Sequence, residues 1–196
     1  MAGLKRIGVF GGAFDPPHVA HHTLARAAIE QFKLETLHIV PTGSAWHKTR
    51  TLSAAHHRVA MAQLAFADLA QAFIDTREIE RSGVSYTLDT LQELRKEQPQ
   101  AQLYLFIGQD QAQSFESWHR WQDILEIAQL VVAQRPSESP VAVQWQNGGL
   151  LNVQRLAMPA LQVSATHVRQ CIAQGQSTDA YLLSQVRRYI DQHRLY

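Results

Sequence analysis

The feature that most constrains the fold is a set of short strand-like runs, Arg6–Phe10, Leu37–Val40, Ala72–Asp75, Leu103–Ile107 and Leu130–Ala133. Their apolar residues follow one another instead of alternating with polar ones. A strand with one wet face alternates, whereas a strand covered on both faces does not. Between the runs lie helical patterns. Ala20, Leu24, Ala28 and Phe32 repeat at the i, i+4 spacing of a face packed on a sheet. Val59, Ala62 and Phe66 mark a helix over about Ser53 to Ala70, and Thr87 opens another with Leu88, Leu91 and Leu94, closed by Pro99. Alternating strands and helices of this kind predict an α/β fold, a doubly wound parallel sheet with helices on both faces. No repeat or linker divides the chain, and 196 residues at 45% hydrophobic content suffice for one domain spanning 1–196.

In such sheets ligands bind beyond the carboxyl ends of the strands, which is where the polar punctuation falls. The first strand ends at Gly11-Gly12, the second at Pro41-Thr42-Gly43-Ser44, the fourth at Gly108-Gln109-Asp110, the fifth at Gln134-Arg135-Pro136. The first of these carries the most chemistry. Glycines let a backbone approach an anion, and a helix start after Asp15-Pro16-Pro17 offers unpaired N–H groups and the positive dipole end. Asp15 suits the N-cap and a proline the first turn, which would put His18 and His21 on one side of that turn. The glycines at 8, 11 and 12 do not make the G-x-G-x-x-G fingerprint, and no Gly-Lys-Ser/Thr ending makes a P-loop. The histidines lack the Glu of H-E-x-x-H and a nearby third ligand, so no metal site is expected.

Charge and cysteine content narrow the class further. With 18 basic and 17 acidic side chains the chain has no general affinity for nucleic acid, so any positive potential is local. A single cysteine, Cys171, forbids an internal disulfide, fits a reducing compartment and reads as a small buried apolar residue. Neither a signal-peptide pattern nor an apolar run of membrane length is visible, so the expectation is a cytoplasmic protein with no membrane partner, a monomer or homodimer.

Gly11-Gly12-Ala13-Phe14-Asp15-Pro16-Pro17-His18-Val19-Ala20-His21 resembles the G-G-[TS]-F-D-P-x-H-x-G-H signature of the nucleotidyltransferases that transfer AMP from ATP, which have a Rossmann-like fold. Ala13 replaces a hydroxyl residue and Ala20 a glycine. Ser85-Tyr86-Thr87 and the run Ile107-Gly108-Gln109-Asp110…Phe115…Trp118 resemble motifs of the bacterial nicotinate mononucleotide adenylyltransferases in that superfamily. Val163-Ser164-Ala165-Thr166-His167-Val168-Arg169 is similar to their I-S-x-T-x-[IV]-R, with Ser164 as N-cap and Gly175 as the helix stop.

The resemblance implies AMP transfer from ATP to nicotinate mononucleotide, a step of NAD biosynthesis, with Mg²⁺ carried by ATP. It implies that ATP meets Gly11, Gly12, Ala13, Phe14, His18, His21, Gly108, Asp110, Ser164, Thr166 and Arg169. The mononucleotide would meet His47, Lys48, Tyr86, Thr87, Trp118, His119 and Arg135, its pyridine ring stacked on Trp118. His18, His21, Lys48 and Arg169 would stabilise the transferring charge. In the basic loop, Ala45-Trp46 stands where the family commonly has prolines. An acceptor phosphate ionised at neutral pH needs no general base, so the task is positioning two polyanions. Two alternatives stay open: a related adenylyltransferase acting on nicotinamide mononucleotide or phosphopantetheine, and a nucleotide-binding regulatory module without turnover.

Overall fold

The structure is a computed structural model that describes residues 4–43, 52–134, 153–159 and 161–196. Its strands are β1 (Arg6–Gly12), β2 (Thr36–Pro41), β3 (Ala72–Ile74), β4 (Gln102–Gly108), β5 (Gln129–Gln134) and β6 (Gln154–Ala157). They form one sheet in the order β3-β2-β1-β4-β5-β6, every neighbouring pair parallel. The helices are α1 (Val19–Phe32), α2 (Ala55–Ala65), α3 (Arg77–Glu80), α4 (Thr87–Glu97), α5 (Gln109–Gln113), α6 (Trp121–Ile127), α7 (Ala165–Ala173) and α8 (Ser184–His193). The strand order reverses between β1 and β4, and a crevice opens beyond the carboxyl ends at such a switch.

The unalternating strands have the predicted cause. Ile7, Val9, Leu103, Leu105, Ile107, Leu130 and Val132 join Leu88, Leu91 and Leu94 of α4 and Ile124 of α6 in one buried cluster. Their strand neighbours Phe10, Tyr104, Phe106 and Val131 join Leu37 and Ile39 with Leu24 and Ala28 of α1, Met61 and Ala62 of α2, and Val186 and Ile190 of α8. Each such side chain contributes about 1.5–3 kcal/mol through burial, so successive residues of one strand stabilise opposite layers.

The structure departs from the sequence expectations in several places. β1 does not stop at its glycines, because pairing with β2 continues through Gly11↔Val40 and Gly12↔Pro41. The chain turns instead at Phe14, which takes the left-handed φ of 48° and is held there at 1% exposure by edge contacts with Phe10, Phe66 and His21. Helix α2 is shorter than the expected Ser53–Ala70. At its start the Ser53 N–H donates to Asp15, and past its end Asp68 turns to bond His22 and Arg26. The sequence pattern does not show α3, α5, α6 or β6. β6 carries one buried apolar side chain, Leu156, and its edge is closed by the Gln31 amide, which bonds both the C=O and the N–H of Ala157. Cys171 is buried at 3% exposure, as read. Among the described residues no helix is long and apolar enough to cross a membrane.

Candidate active site

A cavity of about 1050 Å³ lies beyond the carboxyl ends of β1, β2, β4 and β5. Gly11, Gly12, Ala13, Phe14, His18, His21, Tyr86, Thr87, Gly108, Asp110, Trp118, His119, Ser164, Thr166 and Arg169 all line it. Residues as far apart in the chain as Gly11 and Arg169 thus face one space. His47, Lys48 and Arg135 lie outside the described residues.

Helix α1 starts later than the sequence suggested. Asp15 is not its N-cap. The residue before a proline is pushed out of the helical region, and two consecutive prolines follow Asp15, so the cap passes to His18 with φ −139°. Asp15 is buried at 1% exposure, where its carboxylate accepts from the Ser53 N–H and the Tyr196 hydroxyl. His21 then occupies the third helical position. Its Nδ1 accepts the His18 N–H at 3.1 Å, and because a backbone N–H only donates, that nitrogen carries no proton. The neutral ring keeps its proton on Nε2, a donor for an anion in the cavity.

The two imidazoles stack with centroids 3.7 Å apart. Burial pushes the His18 pKa down to about 4, and burial followed by repulsion from His18 holds that of His21 well below the ordinary value. Both rings are neutral near pH 7. Nδ1 of His18 is buried without a hydrogen-bond partner among the described residues.

The second cavity-lining helix start is that of α7. Ser164 caps it, its Oγ accepting the His167 N–H at 3.2 Å. Its other end closes as read: Gly175 takes φ 66°, its N–H bonds the Ile172 C=O, and the next N–H bonds the Cys171 C=O. Arg169 donates to the Asp15 C=O at 2.7 Å and to Thr166 Oγ1 at 3.0 Å, tying α7 to the loop after β1. Opposite, Thr87 begins α4, whose N-cap Tyr86 offers no side-chain acceptor to the first-turn amides. Tyr86 lies against the His119 ring at 4.3 Å. Trp118 and Trp121 both pack on Phe115, but only Trp118 also faces the cavity.

Three residues that sequence reasoning missed organise these parts. Arg58, 4% exposed, bonds the carbonyls of Ala13 and Ser53. Glu78 lines the cavity, accepts from Thr90 and Gly43, and receives Ser85 Oγ on its own carbonyl. A Cβ on Gly43 would sit 1.9 Å from that carbonyl oxygen, so glycine is required there. Tyr196 is the third. No local pattern in the sequence marks Arg58 or Glu78, nor a hydroxyl that bonds 181 residues away. Among the described residues no group of three or more His, Cys, Asp or Glu side chains could hold a metal ion.

Residues 9–171 match the family model described as cytidylyltransferase-like. The chain is 51% identical over 195 residues, 98% of each chain, to a protein of Albidiferax ferrireducens named "Probable nicotinate-nucleotide adenylyltransferase". The chain belongs to the nicotinate-nucleotide adenylyltransferase family. A Methylibium petroleiphilum relative of the same name is 39% identical, covering 98% of this chain and 92% of its own. Among solved structures, a Plasmodium falciparum nicotinic acid mononucleotide adenylyltransferase complexed with NaAD superposes with a TM-score of 0.81 at 19% identity, over 98% and 97% of the two chains. The same enzyme complexed with APC gives 0.80 at 17% identity, again over 98% and 97%. These likenesses fix the fold as that of this family's α/β enzymes.

Proposed function

We propose that this chain transfers AMP from ATP to nicotinate mononucleotide, giving nicotinate adenine dinucleotide and pyrophosphate in NAD biosynthesis. The observation that carries the reading is the convergence of the His18–His21 pair, the α7 N-terminus and the Thr87–Trp118 pocket on one cavity. In this reading the loop after β1, with Gly11, Gly12, Ala13 and Phe14, and the capped α7 with Ser164, Thr166 and Arg169 take the ATP phosphates. Asp110 and Gly108 face its ribose. Tyr86, Thr87, Trp118 and His119 take the pyridine end of the mononucleotide, its carboxylate meeting the first-turn amides of α4. His47, Lys48 and Arg135 meet its phosphate. Mg²⁺ would arrive with ATP, held mostly by the substrate and water, and would offset part of the polyphosphate charge.

The chemistry asked of the protein is then alignment and charge stabilisation. The ionised acceptor phosphate attacks the α-phosphorus, the bond to the β-phosphate oxygen breaks, and pyrophosphate leaves with the electron pair. Neutral His18 and His21 donate hydrogen bonds to the oxygens on which charge builds. We further assign the activity to one domain, acting in the cytoplasm as a monomer or homodimer. The test is pyrophosphate release by purified protein with ATP and Mg²⁺, offering nicotinate mononucleotide, nicotinamide mononucleotide and phosphopantetheine in parallel. Strong preference for the first is expected, and Trp118→Ala should raise its KM more than that of ATP. Preference for another acceptor would discard the pyridine pocket, and no release with any would move the chain to a binding role.

A further inference from the structure

Between them, Asp15 and its neighbours join four distant pieces of chain. The Asp15 carboxylate accepts the Tyr196 hydroxyl at 2.5 Å through one oxygen and the Ser53 N–H at 3.3 Å through the other. Its backbone carbonyl accepts Arg169, and the carbonyl of Ala13 accepts Arg58. Asp15 thus meets the turn that presents His18, the segment leading into α2, and α7. Tyr196 lies outside the cavity lining and Asp15 lies within it, so the hydroxyl bears on the site through that carboxylate. A buried carboxylate whose two oxygens accept from an O–H and an N–H on distant segments is restricted in orientation, and its backbone and the turn after it follow.

We infer that Tyr196 is a positioning residue for the reaction: its hydroxyl fixes Asp15, and through Asp15 sets the His18–His21 turn against the Arg169 end of the phosphate site. The inference rests on the proposed adenylyl transfer. Tyr196→Phe keeps the ring and removes only the hydroxyl. It should lower kcat about tenfold, since small misplacements of a reacting group cost that much or more, with the KM for nicotinate mononucleotide within about twofold of wild type. The loss should not add to that of Asp15→Asn: the double variant should match Asp15→Asn alone, as expected for two groups acting through one contact. Affinity for a non-hydrolysable ATP analogue, measured by calorimetry, reads the same geometry without turnover and should weaken in Tyr196→Phe with the same non-additivity. Folded Tyr196→Phe protein with kcat and analogue affinity within twofold of wild type would overturn the inference, as would losses that add fully to those of Asp15→Asn. If wild-type protein releases no pyrophosphate with nicotinate mononucleotide, the reaction has been misread, and the analogue-binding cycle still decides the role of Tyr196.

Discussion

Proton uptake on nucleotide binding follows directly from the state of His18. Lowering its pKa from 6.5 to about 4 by burial means that charging the ring costs about 3 kcal/mol more in the folded protein than in water. On the order of one molecule in a thousand carries the charge at pH 7. A bound triphosphate reverses the balance, because opposite charge within a few ångströms favours the protonated ring and moves its pKa back towards the ordinary histidine range. Binding at pH 6 should therefore draw in up to about 0.75 proton at this ring, the full value being reached when the pKa returns to 6.5. Titration calorimetry with a non-hydrolysable ATP analogue and Mg²⁺, repeated in buffers of different ionisation enthalpy, gives the number as a slope. His18→Asn supplies the baseline for protons exchanged by the nucleotide itself. Equal uptake by wild type and His18→Asn would refute the argument.

The same depressed pKa sets a sign for stability without ligand. Between pH 6.5 and about 4 the unfolded chain binds a proton at His18 that the folded chain does not, so stability falls as pH drops through that window. His21 acts in the same direction, its pKa lowered by burial and by His18, so His18→Asn should flatten the acid slope in part.

Two further expectations test the frame around the site. Gly43→Ala would put a Cβ 1.9 Å from the Glu78 oxygen, and the forced shift should cost about 2 kcal/mol in calorimetric unfolding while raising the KM for nicotinate mononucleotide, since Glu78 lines the cavity. Burial alone would favour neutral Asp75, but hydrogen bonds from His38 and Arg77 win and hold its pKa well below the usual carboxylate range. Asp75→Asn should then cost about 3 kcal/mol at pH 7. Because a depressed carboxylate stabilises only above its unfolded pKa, the gap in melting temperature from wild type should narrow below about pH 4.

What was legible in the sequence is what local periodicity and backbone chemistry encode. The runs at Arg6, Leu37, Leu103 and Leu130 are strands because residues facing both layers had to be apolar. Ser164 and Gly175 read correctly as the ends of α7 because a cap and a left-handed glycine are local devices. Asp15 was misread for the opposite reason: its short acceptor side chain fits a helix cap, and the partners that claim it instead lie at positions 53 and 196. β6 escaped notice because an edge strand closed by the Gln31 side chain needs little apolar content of its own. Arg58 and Glu78 look like surface charges until the carbonyls and the hydroxyl that bind them are brought near by the fold.

The arrangement of charge in the cavity bears on why histidine stands where a permanent cation would bind polyphosphate more tightly. Arg169, which lines the cavity, is committed in part to a backbone carbonyl, and the stacked imidazoles are neutral before ligand arrives. Two guanidinium groups in place of that stack would attract bound ATP and transition state alike, and such uniform binding lowers KM without raising kcat. A neutral ring that donates a hydrogen bond, and that charges more readily as negative charge gathers beside it, gains most where the charge is greatest. Under the proposed reaction that point is reached as the acceptor phosphate approaches the α-phosphorus and pyrophosphate begins to leave. His18→Ala should then cut turnover much more than ATP binding, and a variant that lost both equally would show the pair to be an ordinary anion clamp.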